Sequence, residues 1–507
     1  MSGSAAPLVP SPSAEFLRIA WLVYRGNPHS GGQGVYTRYV ARELRDMGHH
    51  VEVLSGQPYP VLDDGVKLIK VPSMDLFRAD DPWHIPTLGE IKERFQMGGG
   101  PSSWGIDFFE FAHMCTSGFP EPWTFSMRAR KYLRAHATEF DIVHDNQCFG
   151  YGVRGMVRDG LPVVATLHHP ITVDRDLEIA DLPRVYPSKA SIGYLKRRWS
   201  LYRWYGFLGM QVDVAKGIPR IITVSESSKR DIVAQMHVPA SQLHIVPVGV
   251  DHERFKPMPH ITRRPHRIMT TASADVPLKG LRPLLEALAK VRVEHPIDVV
   301  IVGKKREGSV LPELLDRLGL NDVVTFESGV SDDRIVELYN EAEMVVVPSL
   351  YEGFSIPAIE SMACGTPLIT TTGGALPEVV GPSGEAAITV APNDPDALAA
   401  AILLVLRDPA LRAALGAAGR ARVLKGFTWR VAAEGCVEQY RALLEDNARA
   451  AHDASVAGSA SAASSVAPAG SAAKAKSVLA STAKNASGAA KGATEFAKTH
   501  AKNLGRK

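Results

Sequence analysis

The chain has 507 residues, of which 22% are charged and 45% hydrophobic, which is close to the average of globular proteins. A chain of this length allows about two to four domains, each with its own core. Its four cysteines have no close spacing, which argues against a disulfide framework or a structural zinc site and favours a reducing compartment. No apolar run approaches the roughly 20 residues that cross a bilayer, and the N-terminus lacks the pattern of a secretion signal.

The formal net charge of +3 is unevenly distributed along the chain. Residues 454–507 contain seven Lys and one Arg against a single Glu, a net charge of +7, so residues 1–453 carry the remaining −4. The main body is therefore mildly acidic, and no general nucleic-acid footprint is predicted outside this segment. The segment is rich in Ala, Ser, Gly and Lys, so we expect solvated disorder, with weak binding to an anionic membrane as the alternative.

Short apolar runs alternate with amphipathic helical patterns, which predicts α/β domains with parallel, doubly wound sheets. The first run is RIAWLVY at 18–24, and a Pro- and charge-rich segment separates two such series. The predicted organisation is a disordered leader at 1–15, a first domain at 16–250 with an insertion at 72–137, a linker at 251–266, a second domain at 267–427, a crossover helix at 428–446 and a disordered tail at 447–507. Because ligands of such sheets bind beyond the carboxyl ends of the strands, we expect a site in a cleft between the domains.

The stretch richest in candidate functional residues is PSLYEGFSIPAIESMACGTPLITTTGGALPEVVG at 348–381. Pro357 suits the first turn of a helix, so Glu352 is predicted in the preceding loop and Glu360 within the helix. Eight helical positions rise about 12 Å, so the two carboxylates would reach different parts of an extended ligand. Glu360 has apolar sequence neighbours, among which an ionised carboxylate needs a partner. A solvent-facing Glu on an amphipathic helix is the alternative.

The pattern P-S-x-x-E-G-F-x-x-P-x-x-E-x-M-A-C-G-x-P-x-I in this stretch resembles the donor-site signature of family 4 retaining glycosyltransferases, which have the GT-B fold. The resemblance extends over about residues 18–445. Six further motifs follow the family's order: GGQG at 31–34, TLH at 166–168, VSxxS at 224–228, VGVD at 248–251, KG at 279–280 and GGxxPE at 373–378. The resemblance implies two Rossmann-like domains facing across a cleft. It also implies transfer of a hexose from a UDP- or GDP-type nucleotide sugar, with retention of anomeric configuration.

The resemblance assigns roles to individual residues of the signature. Glu352 would contact the hydroxyls of the donor hexose, and Glu360 would hold the ribose hydroxyls. Carboxylates accept hydrogen bonds from vicinal hydroxyls, which agrees with both roles. The predicted donor-binding residues are Glu360, Gly353, Phe354, Lys304, Gly373 and Gly374.

Lys279 is the predicted cation for the diphosphate leaving group. It precedes Gly280 at a loop-to-helix start, where a helix N-terminus would add to the stabilisation of negative charge. The family usually has an Arg five residues earlier, and this chain has Ala274 there. Either another cation replaces it, for which the candidates are Lys304, Lys305 and Arg306, or the donor is held differently. A surface lysine is the alternative for Lys279.

The glycine run and a histidine complete the predicted site. The run GGQG at 31–34 lies between a strand and a helix. It does not match the GxGxxG motif of NAD-binding domains, which argues against an NAD-binding site. Gly31, Gly32 and Gly34 would let the backbone approach a phosphate or the reacting sugar, with a plain tight turn as the alternative. His168 is the third predicted catalytic residue beside Glu352 and Lys279. By resemblance it lies near the reacting carbon and hydrogen-bonds the donor sugar, with a structural histidine as the alternative.

Three further polar groups lie outside these motifs. His169 would point away from the site if the strand continues through it. The run HDN at 144–146 ends another strand and is a candidate for the same cleft. The run DRD at 174–176 fits the DxD metal pattern of the other glycosyltransferase fold, but it stands alone and is interpreted as a surface turn. We therefore predict no metal and no other cofactor.

Two competing functions stay open at the level of sequence. A sugar-nucleotide epimerase shares the fold, and the departure at Ala274 keeps a non-catalytic nucleotide-sugar-binding protein open. The expected partners are a nucleotide-sugar donor and a carbohydrate, lipid or small-molecule acceptor, with no nucleic acid. We expect a cytoplasmic protein, and peripheral contact of the tail with the inner membrane surface is a further hypothesis.

Overall fold

A computed structural model describes residues 15–27, 32–73, 89, 104–186, 188–271, 277–303 and 311–464. Seven parallel strands of the first domain form one sheet in the order β3-β2-β1-β4-β5-β6-β7. These strands are β1 (Arg18–Val23), β2 (His50–Ser55), β3 (Lys67–Lys70), β4 (Ile142–Asn146), β5 (Val163–Thr166), β6 (Arg220–Thr223) and β7 (Leu243–Ile245).

The described helices of the first domain connect these strands. They are α1 (Gln33–Asp46), α2 (Trp104–Cys115), α3 (Glu121–Ala135), α4 (Tyr151–Arg158), α5 (Thr172–Val185), α6 (Ile192–Trp204), α7 (Leu208–Ala215) and α8 (Glu226–Met236). Short 3-10 turns lie at Tyr205–Phe207 and Ala240–Gln242. Successive strands and helices thus give the strand–helix rhythm that the sequence predicts.

A second sheet of six parallel strands has the order β10-β9-β8-β11-β12-β13. Its strands are β8 (Arg267–Thr270), β9 (Asp298–Val302), β10 (Val324–Glu327), β11 (Met344–Val347), β12 (Leu368–Thr371) and β13 (Ile388–Val390). Its described helices are α9 (Leu281–Glu294), α10 (Leu311–Leu318), α11 (Asp332–Glu341), α12 (Ile356–Ala363), α13 (Leu376–Val380), α14 (Pro395–Arg407) and α15 (Pro409–Gly426). A 3-10 turn at Pro277–Lys279 precedes α9, and α16 (Trp429–Ser464) follows α15.

Both faces of the first sheet are covered by helices. Along β1, Trp21 and Val23 enter a core that includes the apolar face of α1. The intervening Ala20 and Leu22 enter a separate core with α3 and α4. Because side chains alternate along a strand, a nearly continuous apolar run such as RIAWLVY is what a strand with two buried faces requires.

The helix α3 lies inside the range that the sequence analysis assigns to an insertion, and it belongs to the main body of the domain. Phe125, Ala129 and Leu133 recur every four residues on one helical face and pack in the same core as β1 and α4. The predicted insertion at 72–137 is therefore too long at its C-terminal end. Residues 74–88 and 90–103 lie outside the described part of the chain.

The helix α16 starts beside the second domain and packs against the first. Its Tyr440 hydroxyl lies 2.7 Å from Nδ1 of His144, and the Cys436 thiol lies 3.7 Å from the hydroxyl of Tyr36. Trp429 stacks on Tyr39 with 5.2 Å between ring centroids. The structure extends this helix to Ser464, so the predicted end of the crossover helix at 446 is wrong, and the part of the predicted tail at 447–464 is helical.

The sequence around this extension explains the longer helix. Ala, Arg, Glu and other good helix formers continue past residue 446 without a Pro or a Gly until Gly458. Residues 465–507 lie outside the described part of the chain, and so does the hypothesis of tail contact with a membrane. Among the helices that the structure describes, none combines the length and apolarity needed to cross a bilayer.

Candidate active site

A cavity of about 570 Å³ lies between the two α/β domains. The first domain contributes its wall at the start of α1 and at the ends of β4 and β5. The second domain contributes the turn before α9 and the loop before α12. The cavity wall includes Gly32, Gln147, His168, Lys279, Glu352, Gly353, Phe354, Ser355 and Trp429. The cavity therefore lies at the carboxyl ends of strands from two parallel sheets, where ligands of such sheets bind.

Lys279 and Glu352 form an ion pair in this cavity. Nζ of Lys279 lies 2.8 Å from Oε1 of Glu352, and the hydroxyl of Ser349 donates to the same oxygen at 2.7 Å. The Glu352 side chain is 11% exposed and the Lys279 side chain 37%. Lys279 is the only Lys or Arg among the described residues of the cavity wall. The pair thus offers a hydrogen-bond acceptor and a positive charge to one ligand.

Glycines hold these two side chains in place. Gly280 has a φ of +65°, and a Cβ atom on it would lie 1.9 Å from the carbonyl oxygen of Pro348. Gly374 also has a φ of +65°, and its Cβ would lie 2.2 Å from the carbonyl oxygen of Glu352. Only glycine allows the chain to pass this close, so both positions fix the backbone that carries Lys279 and Glu352.

The predicted donor-binding glycines Gly373 and Gly374 are outside the wall of the described cavities. They lie behind the loop of Glu352, where the N–H of Ala375 donates to the Glu352 carbonyl at 2.8 Å. A Cβ on Gly373 would lie 2.5 Å from the carbonyl oxygen of Leu350. The structure thus gives both glycines a packing role behind the loop of Glu352, and their direct contact with the donor stays a prediction.

His168 lies in the cavity wall as a neutral ring. Its Nε2 lies 3.0 Å from Oδ1 of Asn146, whose amide nitrogen donates to the carbonyl of Gln33 and to the hydroxyl of Thr37. That orientation of the amide makes His168 Nε2 the donor and leaves Nδ1 as an acceptor. Burial lowers the pKa of His168 to about 3, so the ring carries no charge at neutral pH.

The run HDN at 144–146 lies behind the cavity instead of in its wall. His144 is fully buried, stacks on Trp21 at 3.9 Å and hydrogen-bonds Thr166 at 2.8 Å. The Asp145 carboxylate accepts from the N–H of Phe149 at 2.8 Å, and burial raises its pKa to about 7. All three side chains pack in the interior behind the cavity wall, because β4 is a central strand whose side chains are buried on both faces.

The cavity also contains residues that the sequence analysis missed or misjudged. His169 lines it beside His168, because β5 ends at Thr166 and the strand alternation no longer applies. Gln147 lines it with a positive φ of 59°, and its Oε1 accepts from the backbone N–H of His168 at 3.1 Å. Trp429, which lies at the start of the predicted crossover helix, is in the wall as well. A glutamine after a strand carries no sequence signal of this role.

Glu360 lies in a neighbouring cavity of about 280 Å³, and the two cavities share Val35, Ile356 and Trp429 in their walls. The hydroxyl of Tyr339 donates to Oε2 of Glu360 at 2.9 Å. The pKa of Glu360 is raised to about 7, chiefly by burial; the hydrogen bond from Tyr339 opposes this rise and the charge of Asp332 adds to it. The two signature carboxylates thus lie in different cavities, as an extended ligand would require.

The glycine run is only partly described. Gly32 lines the first cavity with a φ of 73°, and Gly34 lines the second. A Cβ on Gly34 would lie 2.2 Å from the carbonyl oxygen of Asn27. The predicted residues Gly31 and Lys304 lie outside the described part of the chain, as do Ala274, Lys305 and Arg306.

The two domains meet at the N-terminus of α8. The Glu378 carboxylate, on α13 of the second domain, accepts from the backbone N–H groups of Glu226 at 2.7 Å and Ser227 at 2.8 Å. These N–H groups belong to the first turn of α8, which has no intrahelical acceptors for them. A carboxylate of one domain therefore caps a helix of the other.

A second contact joins the same helix to the loop of Glu352. The hydroxyls of Ser225 and Ser228 donate to the carbonyl of Gly353 at 2.7 and 3.1 Å. The hydroxyl of Tyr351 also hydrogen-bonds Asp231 across the junction. Two motifs of the sequence, VSxxS and GGxxPE, thus lie on opposite sides of one interdomain junction.

The run DRD at 174–176 lies in the first turn of α5, so its interpretation as a turn is wrong. Asp174 pairs with Nε2 of His169 at 2.9 Å and lines the cavity, whereas Arg175 pairs with Asp176. The three residues do not form a metal-binding cluster among the described residues.

Comparisons with known proteins agree with this architecture. The family profile described as Glycosyltransferase Family 4 matches residues 30–254, and that of Glycosyl transferases group 1 matches residues 259–422. The MMP alpha-(1->4)-mannosyltransferase of Mycolicibacterium hassiacum is 45% identical over 428 residues, which cover 84% of this chain and 98% of the relative. The chain belongs to glycosyltransferase family 4.

Other relatives of this family 4 glycosyltransferase are more distant. The D-inositol 3-phosphate glycosyltransferase of Thermobispora bispora is 27% identical, with 83% of this chain and 92% of the relative covered. Among solved structures, sucrose-phosphate synthase from Thermosynechococcus elongatus has a TM-score of 0.60 at 22% identity and covers 85% of this chain and all of its own. Anabaena HepE in complex with UDP and glucose has a TM-score of 0.56 at 18% identity, with 83% and 98% covered. The predicted GT-B fold is confirmed.

Proposed function

We propose that this glycosyltransferase moves mannose from a nucleotide-mannose donor to the 4-hydroxyl of an acceptor sugar, with retention of anomeric configuration. The choice of mannose and of an α-(1→4) bond is supported by the printed activity of the relative at 45% identity. A donor with an α-linked mannose and an α-linked product means retention. The observation that carries the proposal is the pairing of Lys279 and Glu352 in one interdomain cavity with a neutral His168.

The charges of this cavity suit departure of a diphosphate. As the bond from C1 to the leaving oxygen breaks, its electron pair stays on the diphosphate, and Lys279 stabilises the growing negative charge. Glu352 accepts hydrogen bonds from hydroxyls of the mannose, which orients C1 toward the acceptor. A neutral His168 offers Nδ1 as a hydrogen-bond acceptor, but a ring with a pKa of about 3 is too weak a base to take a proton at neutral pH. The proton of the acceptor hydroxyl therefore goes to the departing diphosphate, which is the available base.

The neighbouring cavity suits the nucleoside part of the donor. Glu360 would hold the ribose hydroxyls there, since the two cavities share part of their walls and one extended ligand can occupy both. Because Lys279 supplies the positive charge at the diphosphate, we propose that transfer needs no metal ion. A rate that falls on addition of EDTA and returns with a divalent cation would contradict this part.

The experiment is an incubation of the full chain with GDP-mannose, and in parallel with UDP-glucose and other nucleotide sugars, in the presence of α-mannoside acceptors. We expect a new α-(1→4) linkage, identified by NMR of the product. Glu352→Gln serves as the low-activity reference, and Glu385→Gln, on the exposed surface of the same domain, as the control. A changed nucleotide sugar without an acceptor would indicate an epimerase, and binding without turnover with every acceptor would indicate a binding protein.

A further inference from the structure

Ser355, the residue that precedes α12, has an unusual backbone conformation. Its φ of 95° is a region that residues with a Cβ atom rarely adopt, and its ψ is 87°. A serine at a helix N-cap normally has an extended backbone, and its hydroxyl accepts from an N–H of the first turn. Ser225 shows this arrangement at the start of α8, with a φ of −159° and a bond from Ser228. Ser355 makes no such capping bond.

The hydroxyl of Ser355 is buried and has no hydrogen-bond partner among the described residues. The residue is 5% exposed and lines the cavity that holds Lys279 and Glu352. A buried hydroxyl without a partner destabilises the folded chain, and the strained backbone does so as well. A glycine at this position would avoid both costs, so the serine needs a reason that the folded protein alone does not supply.

The surroundings of Ser355 favour a negatively charged ligand. Ser355 lies at the N-terminus of α12, where the backbone N–H of Ile356 has no intrahelical acceptor. Pro357 has no N–H, so this helix end has one donor fewer than usual, and the Ser355 hydroxyl is a donor at the same place. Lys279 adds a positive charge within the same cavity.

We propose that the Ser355 hydroxyl binds the diphosphate of the nucleotide-sugar donor, and that this bond is why the chain keeps a strained serine before α12. The proposal rests on the proposed function, since the donor supplies the diphosphate. It makes Ser355 a ligand-binding residue whose side chain acts together with the helix N-terminus and Lys279.

The test compares Ser355→Gly and Ser355→Ala with the wild-type chain. Both variants should bind GDP or UDP, whichever the wild type binds, roughly tenfold more weakly or worse in calorimetry, because each loses a hydrogen bond to a charged group. Ser355→Gly should also raise Tm by roughly one to a few degrees, because it relieves the backbone and removes the unpaired hydroxyl. Ser355→Ala keeps the strained backbone and should gain less.

Asn393→Gly is the matched control, because Asn393 has a positive φ of 58° on the exposed surface of the same domain. It should leave nucleotide binding unchanged. Wild-type affinity in both Ser355 variants would overturn the proposal. A loss confined to the intact nucleotide sugar, with GDP and UDP unaffected, would overturn it too, because the hydroxyl would then contact the sugar.

Failure of the proposed function has a different signature, namely a wild-type chain that binds no nucleoside diphosphate at all. Inorganic pyrophosphate is then the probe. The Tm of the wild type should rise with pyrophosphate and that of Ser355→Gly should rise less, since a ligand stabilises the state that binds it. Equal shifts in the two proteins, or none in either, would overturn the binding role of Ser355.

Discussion

At the scale of single residues, Lys279 forms an ion pair with Glu352 and is the cation that we propose for the diphosphate. Lys279→Ala should lower kcat by roughly 10²-fold, because stabilisation of the leaving group is lost in the transition state. Its Tm should change little, since the ammonium group is partly exposed. Kinetics and thermal melts of Lys279→Ala are compared with those of Lys290→Ala, whose lysine pairs with Asp396 on the surface of α9. Near-normal kcat in Lys279→Ala would move the role to the cations at 304–306.

Glu360 gives a prediction with a defined pH dependence. Its pKa is raised from 4.5 to about 7 in the folded protein, so the folded state binds the proton more tightly than the unfolded state. The wild-type free energy of unfolding should therefore fall as the pH rises from 4.5 to about 7. The free energy of unfolding of Glu360→Gln should not show this decrease, because the variant has no carboxyl group at this position. At pH 8 we expect the variant to be more stable than the wild type by roughly 1–3 kcal/mol, and at pH 4 to be about equal.

Urea unfolding of Glu360→Gln and the wild type at both pH values measures this difference. At pH 8 the same variant should bind the donor more weakly by about 1.5–3 kcal/mol, because a charged acceptor for the ribose is lost. If Glu360→Gln is more stable than the wild type and binds the donor more weakly, the ionised Glu360 carboxylate destabilises the folded chain but strengthens donor binding. A variant less stable at pH 8 would show that the ionised carboxylate is well solvated, and unchanged donor affinity would refute the ribose role.

At the scale of elements, the turn between Lys279 and α9 depends on Gly280. Gly280→Ala should lower the free energy of unfolding by roughly 2–4 kcal/mol, because its Cβ would collide with the Pro348 carbonyl in a left-handed backbone. Gly319→Ala is a matched control with a φ of +64° and open space around it, and it should cost about 1 kcal/mol. Denaturant unfolding of the two variants separates the collision from the conformational strain. Equal losses would show that the turn can relax away from Pro348.

The elements also differ in how far the sequence could predict them and the site that they form. The apolar strands and the signature that contains Glu352 and Glu360 could be predicted, because they are local patterns in the sequence. The position of His144 could not be predicted, since a polar residue at a strand end looks the same whether it meets a ligand or a buried partner. Its partner, the Tyr440 hydroxyl, comes from a helix 296 residues later. The extent of α16 was missed because an Ala-rich segment suits both a helix and a disordered tail.

At the scale of the whole molecule, the junction at α8 should control how the domains approach each other. Glu378→Ala removes the acceptor of two backbone N–H groups, so the junction should open more often. We expect faster hydrogen exchange at the start of α8 and a kcat lowered roughly 3- to 30-fold, because about 1–2 kcal/mol of junction stability is lost. Glu385→Ala, on the exposed surface nearby, is the control for both measurements.

The hydrogen-exchange measurement needs no substrate, so its result does not depend on which sugar the enzyme transfers. A Glu378→Ala chain whose α8 amides exchange as slowly as those of the wild type would show that other contacts hold the junction. Slower turnover with unchanged exchange would place the effect of Glu378 on the loop of Glu352 instead of on closure.

The return of α16 to the first domain has a consequence for synthesis of the chain. His144 in β4 and Tyr36 in α1 find their partners in Tyr440 and Cys436, which the ribosome adds about 300 to 400 residues later. Domains generally fold as units while the chain grows from its N-terminus. Here the first domain exposes an incomplete core until the second domain has been made. Truncation just before Trp429 should therefore leave the N-terminal half aggregation-prone, although its sheet would be complete.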